Sequence, residues 1–335
     1  MPSTSAPQQV TELAMASIVS DTLVNVGELG VADIVAPDRP TPIGEIARAT
    51  ECNERALYRA LRLLASCGIF RELDDRRFEH TDMSCTLRSD HPESLLPIVR
   101  LMQRLRLAHP HLLHSLRTER SAMEAALGEP LFSYLSKHPD MAAIFDAGMP
   151  SLHGNETTPM LDAYDFASVT TLMDLGGGGG TLLAETLTRH PHMRGVLFDL
   201  DHVVERAVPY LAAQGLEERC RVQAGDFFER VPPGADTILM RHILHDFPDD
   251  AAARILSNCR AALPVDGSVL VVEAVVPPGN GPSPAKVMDI AMLLYPGGME
   301  RTVEEFRALL GAAGFELTSV TPTTSMVSVI EGRPC

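Results

Sequence analysis

From Tyr164 onward the chain alternates short apolar runs with amphipathic helical runs, and the first three apolar runs each close on a carboxylate. VTTLMDL (169–175) reads as a strand ending near Asp174, and GGGGGTLLAETLTRH follows as a glycine loop entering a helix. GVLFDL (195–200) ends at Asp199, CRVQAGDFF at Asp226 and Phe227, and Thr237–Met240 leads into His242–Phe247. GSVLVVEAVV supplies a fifth strand. FELTSV and MVSVI supply two more, close enough in sequence to pair antiparallel at the sheet end. Between them, HVVERAVPYLAAQGL, DDAAARILSNCRAALP and VEEFRALLGAAGF have helical spacing, the second capped by Asp249 or Asp250. Strand–helix alternation of this kind implies a seven-stranded α/β sheet, largely parallel. Such sheets bind ligands beyond the carboxyl ends of their strands.

The glycine run does not carry the GxGxxG register of a dinucleotide turn, because the sixth position falls on Thr181 or Leu182. It carries D-x-G-x-G-x-G instead, through Asp174, Gly176, Gly178 and Gly180. A glycine turn lets backbone approach a ligand and aims a helix N-terminus at it. Asp199 stands at the next strand end, where a carboxylate binds ribose hydroxyls. Asp226 offers an acceptor for an exocyclic amine, and Phe227 a ring for a base. Taken singly, these are a strand-end cap and a turn with a core phenylalanine. In one ordered set they describe a nucleoside ligand without polyphosphate, S-adenosylmethionine.

The N-terminal part has a different pattern. Residues 1–9 are polar and read as disordered, without the basic and apolar regions of a secretory signal. A helix is expected from Val10, with Leu13, Ala14, Ile18 and Val19 on one face. Gly27 and Gly30 mark its end, and Pro37, Pro40 and Pro42 a loop. Ile43, Ile46 and Ala47 suit a short helix. Asn53 caps a second one carrying Leu57, Leu61, Leu64 and Ala65, and Ile69–Thr81 suits a hairpin around Asp74-Asp75. Helix, turn, helix and hairpin describe a winged helix. Arg55, Arg59 and Arg62 raise the question of DNA. Residues 1–150 nevertheless hold 15 basic and 20 acidic residues, and the whole chain has a net charge of -16, which disfavours polyanion binding. A dimerisation or lid role fits better. Residues 92–163 read as helical, with breaks at Pro97, Pro110, Pro130, Pro139 and Pro150. His109, His111 and His114 lack a further ligand at metal spacing, and Met102, Met149 and Met160 read as core filler. The six cysteines form no CxxC, and no apolar run reaches the ~18–20 residues of a membrane span. A cytoplasmic chain is expected, with neither nucleic acid nor membrane as partner.

The segments MDLGGGGGTL, GVLFDLDHVV, AGDFFERVPPGADTILMRHILHDFPDD, VLVVEAVVPP and MDIAMLLYPGGMERTVEEFRALLGAAGF follow in order the motifs of one family. The chain resembles the S-adenosylmethionine-dependent small-molecule O-methyltransferases of the caffeate and acetylserotonin type, including bacterial antibiotic-pathway members. The resemblance implies a winged-helix dimerisation domain (1–100), pocket-lining helices (101–163) and a Rossmann-like class I methyltransferase domain (164–335). It implies S-adenosylmethionine contacts at Gly176, Gly178, Asp199, Leu200, Gly225, Asp226, Phe227 and Arg241, with no metal. His245 falls on the family's general base and Glu273 and Glu300 on the carboxylates that orient it. Asp246 lies at the substrate, with His109, Met149, His153, Met292 and Tyr295 as further acceptor-side candidates. The absence of Trp departs from family pockets that carry aromatics and implies a more polar one. The expected reaction is methyl transfer to a phenolic hydroxyl by a homodimer, leaving S-adenosylhomocysteine. A phenol near pKa 10 against an ordinary His near 6.5 leaves about 3.5 units, roughly 5 kcal/mol, for full proton transfer. The alternatives are carbon or nitrogen methylation, and a non-catalytic winged-helix binding module.

Overall fold

A computed structural model describes residues 5–153 and 156–335, except for the side chain of His153. Two compact units emerge, one within Met1–Leu107 and Leu135–Gly154, the other within Ala108–Tyr134 and Asn155–Cys335.

The first unit opens with a helix, Ala6–Glu28. Its start corrects the expected disorder of 1–9 from Ala6 onward, and the first four residues lie outside the described ones. Pro7 in the first turn has no N–H to waste, so the helix begins there rather than at Val10. Helices Ile43–Ala49 and Glu54–Ser66 follow, the latter capped by Asn53 Oδ1, which accepts from Ala56 N at 3.1 Å. Three short strands, β1 (Thr41–Pro42), β2 (Phe70–Leu73) and β3 (Arg77–His80), pair antiparallel in the order β1-β3-β2. This is the expected winged helix. The proline loop additionally holds β1, too short to show a strand period. Ile46, Leu61, Leu64, Phe70 and Phe78 fill its core. Helices Leu96–Leu105 and Pro139–His153 complete the unit. Pro150 does not break the second of these; it sits in the last turn.

The second unit holds the seven-stranded sheet. Its strands are β4 (Thr171–Leu175), β5 (Arg194–Asp199), β6 (Cys220–Ala224), β7 (Thr237–Arg241), β8 (Ser268–Ala274), β9 (Phe315–Pro322) and β10 (Val327–Pro334), in the order β6-β5-β4-β7-β8-β10-β9. All neighbours are parallel except β10, which runs antiparallel to both β8 and β9. The last two strands pair as expected, with β10 inserted inside β9. Every residue of β8 is buried, as befits a central strand covered on both faces. One apolar layer gathers Met173, Phe198, Met240, Ile255 and Phe306, the other Leu172, Leu183, Leu197, Leu211 and Leu270. The chain reverses direction across the sheet between β4 and β7, which makes their carboxyl ends the natural ligand crevice.

Candidate active site

The loop Gly176–Gly180 joins β4 to the helix Thr181–Arg189. Gly176, Gly178 and Gly180 have φ of 71°, 55° and 79°, in the left-handed region that a Cβ disfavours. A Cβ at Gly177 would strike Leu197 and come within 2.7 Å of the Asp174 carboxylate, whereas Gly178 and Gly179 face open space. The loop is thus pressed onto the sheet at its start and open at its tip. Asp199 Oδ2 accepts from Gly178 N at 2.9 Å, and Oδ1 from Leu200 N at 2.7 Å. Burial raises the Asp199 pKa, and these two donors only partly offset it. Gly225 N donates to the Asp199 carbonyl at 3.0 Å, and Asp226 Oδ1 accepts from Phe228 N at 2.7 Å. The Phe227 ring packs against Phe228 and Phe247. Arg241 Nη1 donates to Thr157 Oγ1 at 2.8 Å.

Asp174, legible as a strand end and as the first residue of the glycine motif, is the most perturbed acid of this group. Its carboxylate is buried, Oδ2 has no hydrogen-bond partner among the described residues, and burial pushes its pKa up to about 7. An orphaned buried acceptor beside open glycine backbone fits a ligand that brings a donor or a positive charge.

The second cluster lies beyond β7. The short turn Leu244–Asp246 buries the His245 ring. His245 Nδ1 lies 2.8 Å from Glu300 Oε1, and His245 N donates to Glu273 Oε1 at 3.0 Å. A carboxylate only accepts, so Nδ1 carries the hydrogen and Nε2 is left as the reactive nitrogen. Asp246 Oδ1 stands 3.6 Å from Nε2. Burial alone would lower the His245 pKa. The Glu300 hydrogen bond and the charges of Asp246, Glu273 and Glu300 outweigh it and raise it to about 9. Burial pushes Glu273 up to about 7 and Asp246 up to about 6. Groups this close titrate as a set.

His242, expected to be structural, lies beside this cluster, its ring centroid 5.0 Å from that of His245. It is bonded to Glu156 at 2.6 Å and held at φ 55°. Burial lowers its pKa well below the ordinary range, so it stays neutral next to His245. Arg301 and Asp289 were also missed. Arg301 is fully buried, and Asp289 Oδ1 accepts from Glu300 N at 3.0 Å.

Of the acceptor-side candidates, Asp246 joins the cluster. His109 Nε2 lies 3.1 Å from the Tyr295 hydroxyl, and Met292 is buried in the helix Pro284–Leu294. Met149 is half-buried within the first unit, and the His153 side chain lies outside what is described. Neither Asp249 nor Asp250 caps the helix Asp249–Ala262: its N-cap is Pro248, the Asp249 carboxylate binds Arg301, and Asp250 Oδ1 accepts from Ala251 N. Among the described residues no three His, Cys, Asp or Glu are grouped to hold a metal ion.

Residues 109–316 match the model of an O-methyltransferase domain, and residues 11–90 that of an O-methyltransferase dimerisation domain. The chain is 39% identical to the phenazine O-methyltransferase PhzM of Lysobacter antibioticus over 94% of its own length and 93% of that protein's. It is 35% identical to the O-demethylpuromycin-O-methyltransferase of Streptomyces alboniger, covering 98% and 89%. It is 32% identical to the 8-amino-8-demethylriboflavin N,N-dimethyltransferase of Streptomyces davaonensis, covering 99% and 96%. Among solved structures it is similar to LaPhzM, with TM-score 0.91, 37% identity and coverage of 99% and 100%. It is also similar to NcsB1 from neocarzinostatin biosynthesis in complex with S-adenosylmethionine and 2-hydroxy-5-methyl naphthoic acid, with TM-score 0.84, 31% identity and coverage of 96% and 98%. With its sheet order, its glycine loop and both family models in agreement, the chain belongs to the O-methyltransferase family and carries that family's dimerisation domain.

Proposed function

We propose that the chain transfers a methyl group from S-adenosylmethionine to the hydroxyl of a small aromatic acceptor in antibiotic or related secondary metabolism, with His245 as general base. The observation that carries this reading is the buried His245–Glu300 pair at 2.8 Å, set at the carboxyl end of β7 next to the open glycine loop. When bound, S-adenosylmethionine supplies an electrophilic methyl group on a cationic sulfur. Gly176 and Gly178 would bring backbone to it, and Asp199 and Leu200 would hold the ribose. Gly225, Asp226 and Phe227 would border the base, with Asp174 beside Gly177 and Arg241 as further cofactor-side residues.

His245 Nε2 takes the proton of the acceptor hydroxyl. Glu300 holds the Nδ1–H tautomer and stabilises the imidazolium, and Glu273 fixes the backbone of the turn through His245 N. An imidazole near pKa 9 is closely matched to a phenol near 10. The gap to the phenol falls to about one unit against about 3.5 for an ordinary His. At pH 7, however, the imidazole must first shed its own proton against about 2 units, so the gain is realised only as the pH rises toward about 9. Asp246, Met292, Tyr295, His109, Met149 and His153 are assigned to the acceptor side. We assign 1–100 to dimerisation, 101–163 to the pocket helices and 164–335 to methyl transfer, in a cytoplasmic homodimer without nucleic-acid or membrane partners. No helix among the described residues is long and apolar enough to cross a membrane, and the apolar residues exposed on Ala6–Glu28 support self-association.

A panel of phenols, aminophenols and aromatic amines assayed for uptake of labelled methyl tests the reading, with NMR of the product separating oxygen from nitrogen and carbon methylation. The N,N-dimethyltransferase relative keeps an aromatic amine as the second acceptor class. His245→Ala is expected to bind S-adenosylhomocysteine normally and to lose at least ~10²-fold in turnover. Near-wild-type turnover in that variant removes the base assignment.

A further inference from the structure

Arg301 follows Glu300 directly and its side chain is wholly buried. A buried guanidinium is expensive unless its donors are matched, and each of the three nitrogens of this one has a partner. Nε and Nη2 lie 2.9 and 2.8 Å from Asp249 Oδ1. Nη1 donates to the Leu244 carbonyl at 3.1 Å, and Nη2 to the Phe247 carbonyl at 3.0 Å. Leu244 and Phe247 bracket His245 and Asp246. The Arg301 carbonyl in turn accepts from Val276 N at 2.9 Å, just past β8, the strand that carries Glu273. One residue therefore ties together the three segments that supply His245, Glu273 and Glu300.

We propose that Arg301 is a positioning residue, whose planar guanidinium locks the Leu244–Phe247 turn to the Glu300 segment and so holds the His245–Glu300 hydrogen bond in its working geometry. The proposal rests on His245 being the base. Its chemistry is specific to arginine. Two carbonyls and a carboxylate lie around one flat fork, and a lysine ammonium cannot reach all three at once. Its charge also opposes the negative charge of Glu273 and Asp289, for both of which Arg301 acts against the upward push of burial. A purely structural arginine would lower stability and leave the kinetics of folded enzyme alone.

The test compares Arg301→Lys, Asp249→Asn and His245→Ala with wild type, using calorimetry with S-adenosylhomocysteine, steady-state kinetics, and proton NMR of the His245 Nδ1–H. Arg301→Lys is expected to bind S-adenosylhomocysteine with unchanged affinity and to lose about 10²-fold in kcat with KM for the acceptor little altered, since small misplacements of a base act on kcat. The downfield Nδ1–H resonance should shift or broaden in step. A folded Arg301→Lys with kcat within about twofold of wild type, or with the loss confined to KM, overturns the proposal. Should Arg301→Lys not fold, Asp249→Asn decides: its carboxylate is largely exposed, so the fold tolerates the change. A fall of about tenfold in kcat supports the role, and unchanged kcat overturns it. If His245→Ala keeps its turnover, the failure lies with the base assignment instead.

Discussion

An imidazole surrounded by three carboxylates behaves unlike a histidine in water. His245 must shed a proton before Nε2 can accept one, so activity rises with pH as that proton leaves. With its pKa up at about 9, the acid limb of kcat/KM in the free enzyme is expected well above 6.5. Asp246, 3.6 Å from Nε2, contributes to that rise because its negative charge favours the imidazolium. Asp246→Asn removes the charge and keeps the shape. It is expected to move the acid limb to lower pH by about 1–3 units, the usual effect of one close opposite charge. A pH–rate series on the two proteins checks this, and an unmoved limb would mean that Asp246 does not act on His245 electrostatically. The same arithmetic explains why His242, at 5.0 Å from His245, is no second base. Burial and the neighbouring His245 lower its pKa well below the ordinary range, which makes it too weak a base, and its Nε2 is already bonded to Glu156.

At the scale of elements, what was readable in the chain depended on whether a local pattern was long enough to carry a period. The strands β4 to β8 and the helices between them were visible because each presents a run of apolar residues ended by turn chemistry. The glycine loop, Asp199 and Asp226 were read from their order along the chain, and the His245–Glu300 pair from the family resemblance. β1, with two residues, has no period to read. Capping by Asp249 or Asp250 was a sound local expectation; the N-cap is Pro248, and Asp249 is drawn to a longer-range partner, Arg301. Arg301 itself gave no signal, because nothing local distinguishes a buried arginine from a surface one. The glycine loop yields a prediction at this scale. A Cβ at Gly177 collides with Leu197 and crowds Asp174, so Gly177→Ala must push the loop off the sheet and into the open space at its tip. S-adenosylhomocysteine affinity is expected to fall about tenfold or more with the thermal midpoint shifted by only a few degrees, since an overpacked site costs about 1–3 kcal/mol. Calorimetry showing unchanged affinity would mean that the loop tip does not face the ligand.

At the scale of the whole molecule, the helix Ala6–Glu28 stands out for the apolar surface it leaves in solvent. Val10, Leu13, Met15 and Ile18 are about half to three-quarters exposed, with Leu13 at 76%, while Val24 and Val26 near the other end are buried. Exposed apolar side chains gathered along one helix point to an interaction site. Leu13, Met15 and Ile18 fall within 11–90, the stretch matched by the dimerisation model, and a second copy of the chain is their natural partner. Each copy carries a net charge of -16, so two copies repel through their charge and attract through their apolar faces. Salt screens the first effect, over a Debye length of about 8 Å at physiological strength, and leaves the second in place. Dimerisation is therefore expected to tighten as salt rises, the reverse of an interface held by ion pairs. Leu13→Asp with Ile18→Asp would bury two unpaired charges at the interface and should convert the dimer to monomer, because such burial costs several kcal/mol per ion. Sedimentation velocity across a salt series reads both effects. A variant that remains dimeric, or a wild type whose dimer loosens as salt rises, would place the interface elsewhere.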